Sequence, residues 1–425
     1  MKSPKKKTKN TEALSDYFYH VLPERKRFAW LMQQLAEQDG PTSELIDWLL
    51  ETPEYENGDY EAIVQFADRF ALLNPEAYKE EYPFVERKLL DLAFYRKDKV
   101  RIRKSLEALI LNPVSGIDVV VRKALYQLLY HGYYEELLDY AAAVWKPLSA
   151  STKLLFSPEY EFINMIYLDK LEKQYDLLQK GDTSAWKGFL KEIKVLGYAV
   201  DDERIPIIHN TLKQDISSIS ELTMDWKKKE ESLLILNIYF LMYMKEQYHV
   251  PFMFSDTVFN IMYTEDFYKG RSSKRPVFFI PYPVLDHQIA QKTDFTFDIN
   301  VLEMFGKVWG LPLVYDFLMK FSLIQEPWYT LMTQNLAWLK KDMMKVVADS
   351  LWQMHFVTDW PGQDIPGRLA VTSDFFDQVM GRDYSETIEI ISWQFQHLDG
   401  QERIMDEIKN DQIKKGTYRP DLEMF

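Results

Sequence analysis

Glu246 and His249 lie three residues apart, a spacing that sets a carboxylate and an imidazole on one face of a helix, where helical bundles hold di-iron centres. Such a centre needs further glutamates and a second Glu-x-x-His, and no second one occurs. Asp286-His287 reverses the order of the His-Asp pair of phosphohydrolases and has no upstream histidine motif behind it. Asp359 and Asp364 flank Pro361-Gly362, and two acids that meet in a loop can share acid–base work. Lys269-Gly270-Arg271-Ser272-Ser273-Lys274-Arg275 is the one dense internal basic cluster. It reads first as a solvated loop, and second as a contact for an anion or an acidic partner. The chain has seven scattered histidines and no cysteine, which leaves no ligand set for zinc. Phosphate-binding Gly-x-x-x-x-Gly-Lys, dinucleotide Gly-x-Gly-x-x-Gly, Gly-x-Ser-x-Gly and His-Glu-x-x-His are all missing. The expectation is no catalytic residue, no metal ligand and no cofactor.

Composition narrows the class. With 425 residues the chain is long for one core, so two domains or one extended stack are expected. Its 15 glycines and 19 prolines are too few for an all-β protein, which turns every few residues. Absence of cysteine excludes disulfides and fits a reducing compartment, so a cytoplasmic protein is expected. Net charge is −14 although Lys2, Lys5, Lys6, Lys7 and Lys9 stand in the first ten residues without an acid, leaving −19 on the rest. So acidic a body repels phosphate backbones, and nucleic acid is not an expected partner; a basic partner is favoured. The lysine-rich head has no apolar run behind it, so it reads as a solvated tail over residues 1–12 rather than a secretory signal.

The elements that must position any site are helices. Residues 11–21 form an amphipathic segment with Leu14, Phe18 and Val21 on one face, and Phe28, Leu31, Met32 and Leu35 give the next helix a core-facing stripe. From Gly58 to Pro147 three helical segments share a template. Gly58-Asp59-Tyr60-Glu61-Ala62-Ile63 opens the first and Leu73-Asn74-Pro75 closes it. Lys97-Asp98 opens the second, which ends at Asn112-Pro113; Gly132-Tyr133-Tyr134 opens the third, which ends at Lys146-Pro147. The closing prolines lie 38 and then 34 residues apart, a period of stacked helical pairs. Between them run longer helices, 76–98 and 114–131.

Gly58-Asp59-Tyr60-Glu61-Ala62-Ile63 with Leu73-Asn74-Pro75 resembles the second helix of a tetratricopeptide repeat, and Gly132-Tyr133-Tyr134 echoes it. The likeness spans about residues 42–200. The preceding helices lack the family's Trp and Leu-Gly pair, and the alanine after Tyr60 comes one place early. What the resemblance implies is a superhelical stack with a concave protein- or peptide-binding face and no catalytic residues.

Beyond residue 200 the pattern changes. Ser232–Met244 is the most hydrophobic stretch, too short for a membrane span and flanked by charge, so it reads as the central core helix of the second half. Residues 250–300 are punctuated by proline and rich in aromatics, and read as extended segments with a small β pairing as an option. Gly310-Leu311-Pro312 to Glu326-Pro327 repeats the interval from Gly58 to Pro75; helices over 328–340 and 342–356 follow, and others near 373–381 and 384–398.

The fold expected is therefore all-α, a stack of antiparallel helix pairs over 13–200 with an irregular helical domain over 201–425. The function expected is a non-catalytic scaffold or adaptor for a protein or peptide. The alternative is an enzyme or small-ligand binder with a site between the halves near the 250–300 insertion. Candidate binding residues are Tyr133, Tyr134 and Tyr140 for a groove, and His249, Arg271, Lys274, Arg275, Asp286 and His287 for the insertion. For any single tyrosine, or for Trp352 and Trp360, a place in the core is the simpler reading.

Overall fold

The computed structural model describes residues 7–36, 44–56, 58–111, 118–150, 159–198, 203–221, 228–264, 278–292, 298–346 and 348–362. Its α-helices in chain order are α1 (Lys7–Asp16), α2 (Arg27–Ala36), α3 (Glu44–Leu50), α4 (Pro53–Glu56), α5 (Tyr60–Leu73), α6 (Pro75–Arg96), α7 (Lys99–Leu111), α8 (Asp118–Tyr130) and α9 (Tyr134–Ser149). They continue with α10 (Glu159–Gln179), α11 (Ala185–Leu196), α12 (Arg204–Leu212), α13 (Lys229–Tyr248), α14 (Phe252–Phe259), α15 (Tyr282–Lys292), α16 (Asp298–Lys320) and α17 (Glu326–Val346). No strand occurs among the described residues, and the fold is all-α. The chain divides into two units, Met1–Ile166 and Tyr167–Phe425, and the division falls within α10.

In the first unit the turn chemistry sets the helix ends. Asp59 caps α5, its Oδ1 accepting from the Ala62 N–H at 3.1 Å. Pro75 takes the first position of α6, where its missing N–H costs nothing. Asp98 caps α7 through the Arg101 N–H at 3.0 Å, just after Lys97 has turned the chain left-handed at φ 55°. Gly132 turns α8 into α9 at φ 75°, a conformation that a Cβ would strain. These corners stack α6 against α5, α7 and α8, and α7 against α9.

Charge is buried in this stack. The Arg101 guanidinium, with a side chain 4% exposed, donates to Asp68 and Glu86 at 2.7 Å each. Glu86 also accepts from Ser105 at 2.5 Å and from the Tyr78 hydroxyl. Lys123 on α8 meets Asp91 on α6 at 2.8 Å with both side chains 4% exposed, and Gln127 donates to the other Asp91 oxygen at 2.6 Å. A carboxylate so placed is tolerated because its lone pairs are matched by donors.

The second unit is organised around α13. Every residue from Leu236 to Met244 is buried, so the helix is enclosed on all sides, as its apolar sequence requires. It packs against α12, α14 and α16. Where α14 meets α16, a Cβ on Gly310 would lie 2.4 Å from Val258 Cγ1. A side chain there would keep these helices apart.

Several local expectations are corrected. Helix α1 already begins at Lys7, inside the stretch read as a tail; residues 1–6 lie outside the described residues. Val21 is 66% exposed and Leu22 8%, because Tyr17–Val21 is a π-helical turn closed by Leu22 N–H to Tyr17 O at 2.8 Å, which rotates the buried face by one residue. Pro147 lies inside α9 rather than closing it, two residues before the helix ends at Ser149. Gly310 and Pro312 sit within continuous α16 instead of opening a helix, and α17 runs unbroken through 326–346. In the 250–300 region α14 begins directly after the extended Pro251 and α15 covers 282–292, while residues 279–281 are non-helical and 265–277 and 293–297 lie outside the described residues. Proline there starts helices, being suited to their first turn.

Candidate functional site

A concavity of about 270 Å³ lies between α7 and α9 in the first unit. From α7 it takes Arg103, Leu106, Glu107 and Ile110, spaced as a single helical stripe. From the first turns of α9 it takes Glu135, Glu136, Asp139 and Tyr140. Leu106 and Tyr140 are buried and give the groove an apolar floor, while Glu107, Glu135 and Asp139 are exposed along its rim. Four carboxylates thus face one cation, Arg103, which reaches Glu136 at 3.3 Å. Glu135 and Glu136 also suit the N-terminal turn of α9 on helix-dipole grounds; Glu107 and Asp139 have no such reason to be acidic.

The walls are held from behind. Tyr140 donates its hydroxyl to the Val121 carbonyl at 3.3 Å and packs on Phe162. At the foot of α7, Asp98 is held below the usual carboxylate range, first by the Arg101 backbone N–H and then by the Tyr60 hydroxyl, which donates at 2.7 Å. Burial raises the Asp68 carboxyl, but Lys104 and Arg101 outweigh it and hold it low. Asp68 therefore stays ionised and ties α5 to α7.

The residues expected to bind are dispersed. Tyr133 is half-buried at the start of α9, edge-on to Phe94 with Lys99 over its ring at 5.6 Å, and Tyr134 is half-buried beside it. Only Tyr140 borders the groove. His249 is not on a helical face with Glu246: it caps α13 in the left-handed region at φ 56° and is exposed. Glu246 accepts instead from the Tyr175 hydroxyl at 2.5 Å. Asp286 is half-buried on α15 and its neighbour His287 points to solvent. Arg271, Lys274 and Arg275 lie outside the described residues, as do Asp364 and the Trp352 side chain. Trp360 is a core residue, edge-on to Phe254 and tilted on Phe356.

Sequence reasoning missed Arg103, Leu106, Glu107, Ile110, Glu135, Glu136 and Asp139. The stripe at 103, 106, 107 and 110 was a visible signal, but that it faces the acidic start of α9 is a tertiary fact. Among the described residues no cluster of histidine and carboxylate side chains could hold a metal ion. No helix among them is long and apolar enough to cross a membrane. No family profile, curated protein or solved structure matches the chain.

Proposed function

We propose that the protein is a non-catalytic adaptor, working in the cytoplasm, whose first unit holds a basic protein or peptide segment in the α7–α9 groove. The observation that carries this reading is the pairing of an apolar floor with a rim of four carboxylates and one arginine. A basic side chain matches both parts, since its aliphatic stem covers apolar surface while its charged head stays at the carboxylates. The tetratricopeptide-like template at Gly58, Lys97 and Gly132 belongs to the same reading, with helix pairs stacked so that a shared face is free for a partner.

The test uses the full chain and a fluorescent peptide of alternating arginine and leucine, with a glutamate–leucine peptide as its counterpart. Fluorescence anisotropy should report binding of the arginine peptide alone, weakening as salt screens the rim. Glu107→Gln with Asp139→Asn, which leaves the acidic start of α9 intact, should weaken binding by roughly threefold to tenfold, about 0.3–0.7 kcal/mol for each charge removed. Equal binding of both peptides, or an arginine peptide indifferent to that double variant, overturns the proposal.

A further inference from the structure

Arg103 differs from Arg101 and Arg122, two arginines of the first unit that hold carboxylates at short range. Arg101 is buried and reaches two carboxylates at 2.7 Å, and Arg122 grips Glu161 through two nitrogens, at 3.0 and 2.5 Å. Both hold helices together. Arg103 makes one 3.3 Å contact, to Glu136, from a side chain 66% exposed. Glu136 is itself only 23% exposed, whereas Glu107, Glu135 and Asp139 make no ion pair among the described residues. Arg103 shares its helical stripe with Leu106 and Ile110 and lines the groove beside them.

We infer that Arg103 is a resident competitor: its guanidinium takes the half-buried Glu136 position that an arginine or lysine of the partner occupies on binding. This rests on the groove's reading as a basic-peptide site. The exchange is close to even in charge, one cation leaving Glu136 as another arrives. What favours the incoming side chain is the apolar floor and the three remaining carboxylates; what opposes it is the standing pair. A single long, exposed pair is weak, so Arg103 tunes affinity and does not block entry. It also selects, since a neutral or acidic residue cannot replace it at Glu136 without leaving that carboxylate unmatched.

The probe is the arginine–leucine peptide, titrated by anisotropy against the full-length protein and three variants. Arg103→Ala should bind roughly twofold to fivefold more tightly, the range set by losing one weak surface pair. Arg103→Lys, which restores a cation at the same place, should return to wild-type affinity. Lys187→Ala removes the same charge from α11 in the second unit and should leave affinity unchanged, separating local competition from net-charge steering. If Arg103→Ala binds no better than wild type, or Lys187→Ala improves binding equally, the competitor role is overturned while the groove reading stands. If the peptide ignores Glu107→Gln with Asp139→Asn, the groove reading itself has failed and the competitor role fails with it.

Discussion

The contact between α14 and α16 offers the sharpest test of the packing. Glycine 310 lies in the interior of α16, where alanine is intrinsically better by about 1 kcal/mol. Propensity alone therefore predicts that Gly310→Ala stabilises. The structure predicts the reverse. The new Cβ would lie 2.4 and 2.6 Å from the two Val258 methyls and 3.0 Å from its Cβ. Valine is β-branched and stiff about χ1, so it cannot swing aside, and the helices must separate. Overpacking of this kind costs about 1–3 kcal/mol, and a clash that reaches Cβ belongs at the upper end. Set against the propensity gain, the net loss is about 1–2 kcal/mol, a factor of about 5–30 in local opening. Because the chain has two units, one global unfolding energy is not well defined, and hydrogen exchange read by segment is the better assay. Exchange in α14 and α16 should speed up by that factor while α6 in the first unit is unchanged. In a Val258→Ala background the added cost of Gly310→Ala should fall by at least about 1 kcal/mol, a coupling that contacting residues show and distant ones do not. Slower exchange in the single variant, or the same cost in both backgrounds, would refute the close approach.

Two further predictions concern the first unit. Lys123→Ala leaves the buried Asp91 carboxylate without its cation and should cost about 3–5 kcal/mol, lowering the melting temperature of the first unit by roughly 6–20 °C. Lys123→Met combined with Asp91→Leu should recover part of that loss in the same melt, because the buried Asp91 charge is gone while the Gln127 amide loses its acceptor. Asp98 supplies a pH signature. Its carboxyl is depressed in the folded protein, so it contributes stability in full above the unfolded value near about 4 and loses it as pH falls through the lower folded value. The Asp98→Asn side chain can still cap α7 but does not titrate. The stability difference between wild type and variant should be flat from about pH 6 to 8 and shrink below about pH 4. A difference that widens in acid would contradict the assignment.

The helical class was legible because it rests on periodicity and punctuation, which are local. Asp59, Pro75, Asp98 and Gly132 stand where the chain turns, and each does so through its own side chain or backbone freedom. The enclosure of α13 could be read from an apolar run with no polar face. Val21 was misplaced because a π turn changes the residue count per turn, and no side chain announces it. Gly310 and Pro312 both lie inside α16, and at Gly310 the missing side chain serves the close approach of Val258 on α14 rather than a turn.

The site divides along the same line. From the residues alone came an acidic, cysteine-free, all-helical chain without a catalytic motif, since composition and motif need no geometry. The sequence also held the stripe of Arg103, Leu106, Glu107 and Ile110 and the acidic pair Glu135-Glu136. Some 30 residues and a whole helix, α8, separate them. Only the stacking of α7 on α9 turned two ordinary helix faces into one apolar groove with a charged rim. Each face satisfies its own helix and carries no mark of its neighbour. Long-range pairing of that kind is fixed by packing of the whole unit, which is why tertiary structure had to decide it.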